Sequence, residues 1–240
     1  MIRILLLLAA IAVAVGGAEA SGLPAPTGLA AAGADTDELV YKAREAAAAD
    51  RHKEAIALFE KACSADLSLV TSLGKEIGFQ YTWDDRPKEA LAYFEAYIAG
   101  HPEDSEGLLG YALALSWADR HEESLEYYRS VKGDHKESLE ASIGEARVVS
   151  WMDRNSDAEL LYLKVLDSDP GNLEARLGLA QVINWQGRHR EARERYTEIL
   201  EDHTENREAI LGLARNIYAL PDRTGTLLVV TGGASWDFEL

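Results

Sequence analysis

The sequence predicts an all-α fold, a right-handed α-solenoid of stacked helix-turn-helix pairs followed by a short C-terminal β-hairpin. Three sets of observations predict it. Trp83, Trp117, Trp151 and Trp185 recur every 34 residues. Arg86, Arg120, Arg154 and Arg188 keep that interval, as do Gly110, Gly144, Gly178 and Gly212. The aromatic series Phe94, Tyr128, Tyr162 and Tyr196 runs in the same register. Ladders that share one register mean one supersecondary unit copied along the chain, each copy burying its apolar face on its neighbours.

Composition permits this fold and narrows the partners. Apolar residues make up 47 % of the chain, enough to bury a core. The net charge of −17 argues against nucleic acid and against anionic membrane surfaces, both of which are bound through Lys and Arg. The first twenty residues stand apart. A basic start, Met1-Ile2-Arg3, precedes an unbroken apolar run from Ile4 to Val15, and Ala18-Glu19-Ala20 gives an A-x-A pattern before Ser21. This reads as a secretory signal over residues 1–20, too short for a comfortable membrane span, and it predicts export. Cys63 is the single cysteine and has no partner for an internal disulfide.

Residues 21–36, rich in Ala, Gly and Pro, read as a flexible leader, and the helical array is expected over 37–220. Asp35, Thr36 and Asp37 offer N-cap oxygens for the first helix. The turn inside each pair reads Asp50-Arg51, Asp85-Arg86, Asp119-Arg120, Asp153-Arg154 and Gly187-Arg188. Asp is expected here because its carboxylate can accept the free N–H groups of the next helix. An acid follows each Arg by three residues (Glu54, Glu89, Glu123, Asp157, Glu191), which predicts i,i+3 pairs contributing about 0.2–0.5 kcal/mol each.

A small residue then precedes an aromatic by four: Ala55 and Phe59, Ala90 and Phe94, Ser124 and Tyr128, Ala158 and Tyr162, Ala192 and Tyr196. The first helices carry Gly78, Ala112, Ala146 and Ala180 at equivalent places. Small residues let helices approach, and the aromatic fills the gap beside them. Five pairs and a sixth first helix are expected. Residues 221–240 form the tail. Thr226 to Thr231 reads as a strand, Gly232-Gly233 as a turn, and Trp236 to Leu240 alternates with period two.

A 34-residue unit with a small-then-aromatic pair and closing prolines, here Pro102 and Pro170, resembles the tetratricopeptide repeat (TPR). Leu67, Lys136 and Thr204 depart from the closing proline in other copies. A signal segment, repeats with a Trp-x-x-Arg-x-x-Glu-Ala turn (Trp83 to Ala90, Trp185 to Ala192), and then strands are similar to the TPR-plus-barrel proteins of the Gram-negative outer membrane. YaiO-type proteins and polysaccharide-export porins share that plan. The resemblance implies a periplasmic location with outer-membrane association through the C-terminal end. A barrel needs eight or more strands of about ten residues, and the tail is far shorter. Two accounts fit, a truncated barrel protein or a free periplasmic relative.

The motifs of nucleophilic, zinc, phosphate and dinucleotide chemistry are missing, so the chain reads as non-enzymatic, with no cofactor. His52, His121 and His189 follow the turn arginines, but equivalent places in stacked pairs lie about 8–10 Å apart, too far to share one metal, and exposed loop histidines are expected.

Binding is the expected role. In tetratricopeptide repeat proteins the inner surface is lined mainly by the first helix of each pair. Carried onto this chain, the resemblance implies Glu106, Glu140 and Glu174, then Leu109, Ile143 and Leu177, then Leu113, Arg147 and Gln181, and then Ser116, Ser150 and Asn184. The glutamates would make one edge of the groove acidic and favour a basic protein or peptide segment, or they would only complement helix N-termini. Trp83, Trp117, Trp151 and Trp185 would pack on the next pair or stack on sugar rings. The leading function is a periplasmic scaffold for a protein segment. The alternative is polysaccharide handling at the outer membrane.

Overall fold

The computed structural model describes the backbone of residues 29–219, 229–231 and 234–236, and side chains over 35–216. The expected signal segment, the first half of the expected leader and most of the tail lie outside the described residues. The chain divides into two compact units after Ala118.

The first unit holds α1 (Leu29–Ala48), α2 (His52–Ala65), the single turn α3 (Leu69–Ser72), α4 (Gly74–Trp83), α5 (Pro87–Gly100) and α6 (Ser105–Trp117). Successive long helices pack as antiparallel pairs, α1 on α2 and α4 on α5, and α2 and α6 each pack on α4. The core is apolar and aromatic, with Phe59, Ile77, Tyr81, Phe94 and Leu115 fully buried. Cys63 is buried on α2, and burial pushes its thiol up to about 11, which keeps it protonated and inert.

The second unit holds α7 (His121–Ser130), α8 (His135–Trp151), α9 (Asn155–Ser168), α10 (Leu173–Trp185), α11 (His189–Asp202) and α12 (Arg207–Ala219). Each helix packs on the next, and α8 with α10 and α10 with α12 also touch directly. Leu125, Val148, Val149, Leu179, Ile183 and Ile199 form its core.

The small-plus-aromatic rule has a direct physical basis. Ala55, Ala90, Ser124, Ala158 and Ala192 are all completely buried. In the last four copies the aromatic four residues on reaches across to a glycine in the following first helix. A β-carbon on Gly110 would lie 2.7 Å from the Phe94 ring, and one on Gly144, Gly178 or Gly212 would overlap the rings of Tyr128, Tyr162 and Tyr196. The glycine ladder is thus the floor on which the aromatic ladder rests.

The intra-pair turns form for a different reason from the expected one. Asp50, Asp85, Asp119 and Asp153 sit at φ of 54°, 59°, 61° and 60°, and Gly187 at 78°. These are left-handed positions. The amide of Asp50 donates to the carbonyl of Ala47 at 3.1 Å, and that of Arg51 reaches back to Ala46 at 2.9 Å. Asp153 and Arg154, and Gly187 and Arg188, repeat that pattern. This is the Schellman ending, which needs a left-handed residue after the helix. The turn aspartates do not cap the next helix, because the N-cap place belongs to Arg51, Arg86, Arg120, Arg154 or Arg188, none of which makes a side-chain cap. Asp is chosen for tolerating that backbone, and Gly187 is the unstrained version.

The i,i+3 ladder forms in all five copies, with Arg–carboxylate distances of 2.6, 3.1, 2.5, 2.8 and 2.6 Å in chain order. Helices α6, α8, α10 and α12 are capped by Asp104, Asp134, Asn172 and Asn206, which accept from the amides of Gly107, Glu137, Ala175 and Ala209, whereas α3 and α4 have no side-chain cap.

Two boundaries differ from expectation. Helix α1 starts at Leu29, so part of the expected leader is helical, and Asp35, Thr36 and Asp37 lie inside the helix. The Ala-rich run before them favours helix strongly enough to extend it backwards. In the tail, Val229–Thr231 pairs antiparallel with Ala234–Trp236, Val229 opposite Trp236. The second strand ends where the expected one begins, and three residues per strand are too few for an independently stable hairpin. The fold class is all-α, and among the described residues the β element is this ladder alone.

Candidate functional site

Each unit places its own share of the candidate residues. In the first unit, Glu106 is exposed at the start of α6, and the Lys75 ammonium of α4 bridges it at 2.6 Å and Asp104 at 3.0 Å. Burial works against the charge on Lys75, but the two carboxylates outweigh it and raise its pKa. Leu109 is buried in the core, and Leu113 is half-buried. Leu109 is therefore unavailable to a ligand, a correction to its expected place on the groove.

In the second unit, α8, α10 and α12 surround an open cavity of about 280 Å³. Its lining includes Arg147, Ser150 and Trp151 from α8, Tyr162 from α9, Glu174, Leu177 and Gln181 from α10, and Glu208 from α12. Arg147 donates through Nη1 to Glu174 Oε1 at 2.8 Å, and its guanidinium lies 5.9 Å from the Trp151 ring centre. Its Nε is buried with no hydrogen-bond acceptor among the described residues. Burial pushes the Tyr162 hydroxyl up to about 12, so the ring at the cavity floor stays neutral.

Several candidates spend their polar groups inside the protein. Ser150 is buried and donates to the Arg147 carbonyl at 2.6 Å. Asn184 bonds His189 Nδ1 at 2.8 Å. Glu140 is exposed, but it lies well inside α8, beyond the reach of that helix's N-terminal dipole. The expected acidic edge is partly neutralised, since Lys75 pairs Glu106 and Arg147 pairs Glu174.

The indoles are placed differently from the packing expectation. Trp83, Trp117, Trp151 and Trp185 remain 51, 43, 42 and 46 % exposed, so none is buried in a following pair. Trp83 stacks on Phe79 of its own helix at 5.2 Å and leans on His52 of the preceding pair at 5.7 Å. Trp151 meets His121 in the same way at 6.2 Å. His52, His121 and His189 open the second helices and are half-buried, and His52 bonds Gln80 at 2.9 Å, so they are not exposed loop residues. Among the described residues no group of three metal-binding side chains converges. No described helix is long and apolar enough to cross a membrane.

Sequence reasoning missed Glu208 and Lys75 as members of these faces. Glu208 continues the Glu106, Glu140, Glu174 register and was within reach of the same ladder. Lys75 carries no such signal, because the equivalent places are Leu109, Ile143 and Leu177.

Comparison with known proteins agrees with the helix-pair geometry. Two models of the tetratricopeptide repeat match, over residues 85–137 and 151–217. No curated protein matches the sequence. Among solved structures, a tetratricopeptide repeat protein from Parabacteroides merdae is similar at 18 % identity and a TM-score of 0.64, over 77 % of this chain and 73 % of that one. PilW, a widely conserved type IV pilus biogenesis factor, is similar at 16 % identity and 0.64, over 77 % and 85 %. YrrB, a TPR protein with an unusual peptide-binding site, is similar at 18 % identity and 0.55, over 72 % and 89 %. At such identities the likeness concerns the fold. With both repeat models and the helix pairs in agreement, the chain belongs to the tetratricopeptide repeat proteins.

Proposed function

We propose that the protein is a non-enzymatic, exported scaffold that holds an extended segment of a partner protein against the first-helix faces of its repeats. The observation that carries this reading is the open cavity of the second unit, whose wall is built from side chains of three first helices, α8, α10 and α12. Charged, amide and aromatic groups are presented there together, as recognition of a peptide requires. YrrB, which shares the fold and has a peptide-binding site, supports the same use of the repeats here. The signal-like residues 1–20 support a periplasmic location, with outer-membrane association as a further proposal.

The four half-exposed indoles favour a second reading, binding of a polysaccharide by ring stacking. Titration calorimetry of the purified protein against extended peptides and against soluble polysaccharides separates the two. Peptide binding that weakens on Trp151→Ala supports the scaffold. Polysaccharide binding that falls on Trp117→Ala and Trp151→Ala, with helicity intact, supports the second reading and overturns the first. Protease accessibility after outer-membrane permeabilisation tests the location, and protection until cell lysis would refute export.

A further inference from the structure

We infer that the second unit's cavity is an anchor pocket for one arginine or lysine side chain of the bound segment. This inference rests on the protein-binding reading above and adds to it the chemistry of the guest. It comes from comparing one repeat with the next. Arg147 on α8 pairs with Glu174 on α10. Move both positions forward by 34 residues and the pair becomes Gln181 on α10 and Glu208 on α12. Gln181 and Glu208 line the same cavity, and both are exposed. The carboxylate has been kept and its guanidinium replaced by an amide. Among the described residues no cation pairs with Glu208.

Charge points the same way. Arg147 and Glu174 cancel each other, so Glu208 leaves the cavity with a net negative charge that attracts a cation and repels a carboxylate. The Trp151 indole, 42 % exposed, forms part of the wall, and an aromatic face adds to cation binding. Trp185 follows Gln181 by four residues, as Trp151 follows Arg147, so the repeat register offers the guest a second indole. The cavity volume of about 280 Å³ falls just below the range of small-molecule sites, about 300 to 1,000 Å³, and suits one side chain better than a cofactor.

The test uses fluorescein-labelled nonapeptides of Ala, Ser and Leu with a central Arg, Lys, citrulline or Glu, read by fluorescence anisotropy with the full protein. The Arg and Lys peptides are expected to bind at least ~10-fold tighter than the citrulline and Glu peptides, the difference a charged hydrogen bond makes. Glu208→Gln should erase that preference. Gln181→Arg should do the same by supplying an internal guanidinium, and the citrulline peptide should bind both variants as it binds the parent. Equal affinity for Arg and citrulline, or a preference that survives both substitutions, overturns the pocket and leaves the protein-binding reading standing. If no peptide binds while polysaccharides do, both readings fall. Circular dichroism of the two variants separates lost recognition from lost folding.

Discussion

Gly178 of α10 lies against the ring of Tyr162 on α9 so closely that a β-carbon at 178 would overlap it. The same relation joins Gly144 to Tyr128 and Gly212 to Tyr196. Each contact sets how near a first helix can come to the second helix before it. Gly178→Ala should therefore force the ring or the helix aside and destabilise the protein by about 1–3 kcal/mol, the usual range for overpacking. Urea denaturation measures this. Shrinking the ring in Gly178→Ala/Tyr162→Leu should recover part of the loss, and strict additivity of the two changes would contradict the contact.

The intra-pair turns give a second prediction. Gly187 has φ of 78° and open space around its α-carbon, so only backbone strain opposes a side chain there. Gly187→Ala should cost about 1–2 kcal/mol. Replacing Asp153 with Gly should stabilise, by less than that amount, because Asp already tolerates the left-handed region. A lower melting temperature for Asp153→Gly would show that the hydrogen bond its carboxylate accepts from Asn155 Nδ2 at 3.1 Å outweighs the relief of backbone strain.

Helix α8 is opened by a reciprocal cap: Asp134 accepts from the Glu137 amide, and the Glu137 carboxylate accepts from the Asp134 amide. Asp134→Ala should cost about 1 kcal/mol. Amide hydrogen exchange should quicken over the first turn of α8 and leave its last turn, at Trp151, protected. Uniform quickening along the helix would contradict a local cap.

The buried tyrosines predict a loss of stability in alkali. Burial pushes Tyr162 and Tyr196 up to about 12, and it raises Tyr81, Tyr93 and Tyr128 as well. The unfolded hydroxyls titrate near 10. A group whose folded pKa is raised stabilises fully below the unfolded value and loses that contribution as pH rises towards the folded one. Stability should hold to about pH 10 and fall between 10 and 12. The tyrosinate absorbance of the buried rings, beyond that of exposed Tyr41, should rise together with the loss of helix, and ionisation of all the tyrosines in a still-helical protein would contradict the burial.

Much of the fold was legible because it depends on short-range rules copied at one interval. The ladder of Ala158, Tyr162 and Gly178 names its own contacts once the period is known. The turn residue was legible in kind but misread in cause, although Gly187 in the fifth copy was the clue that a positive φ, and not a carboxylate, was required. The caps at Asn172 and Asn206 stand 34 residues apart and could have been read. The acidic edge could not. Whether Glu106 is free depends on Lys75, a departure from the repeat that no ladder announces. The tryptophans were hard for a related reason. Periodicity locates an indole on a helix, but it does not say which side of the ring is covered.

Helix α7 has 10 residues where α9 and α11 have 14, and α8 has 17 where α10 has 13. The four residues surrendered by one helix are taken up by the next, and Trp117 and Trp151 keep their separation. A junction between pairs can thus slide along the chain without disturbing the interval, whereas the turn inside a pair is fixed by its left-handed residue. Foreign sequence, such as an epitope or a fluorescent tag, should accordingly be grafted between Val131 and Lys132, ahead of the cap at Asp134, and kept out of the bend at Asp153.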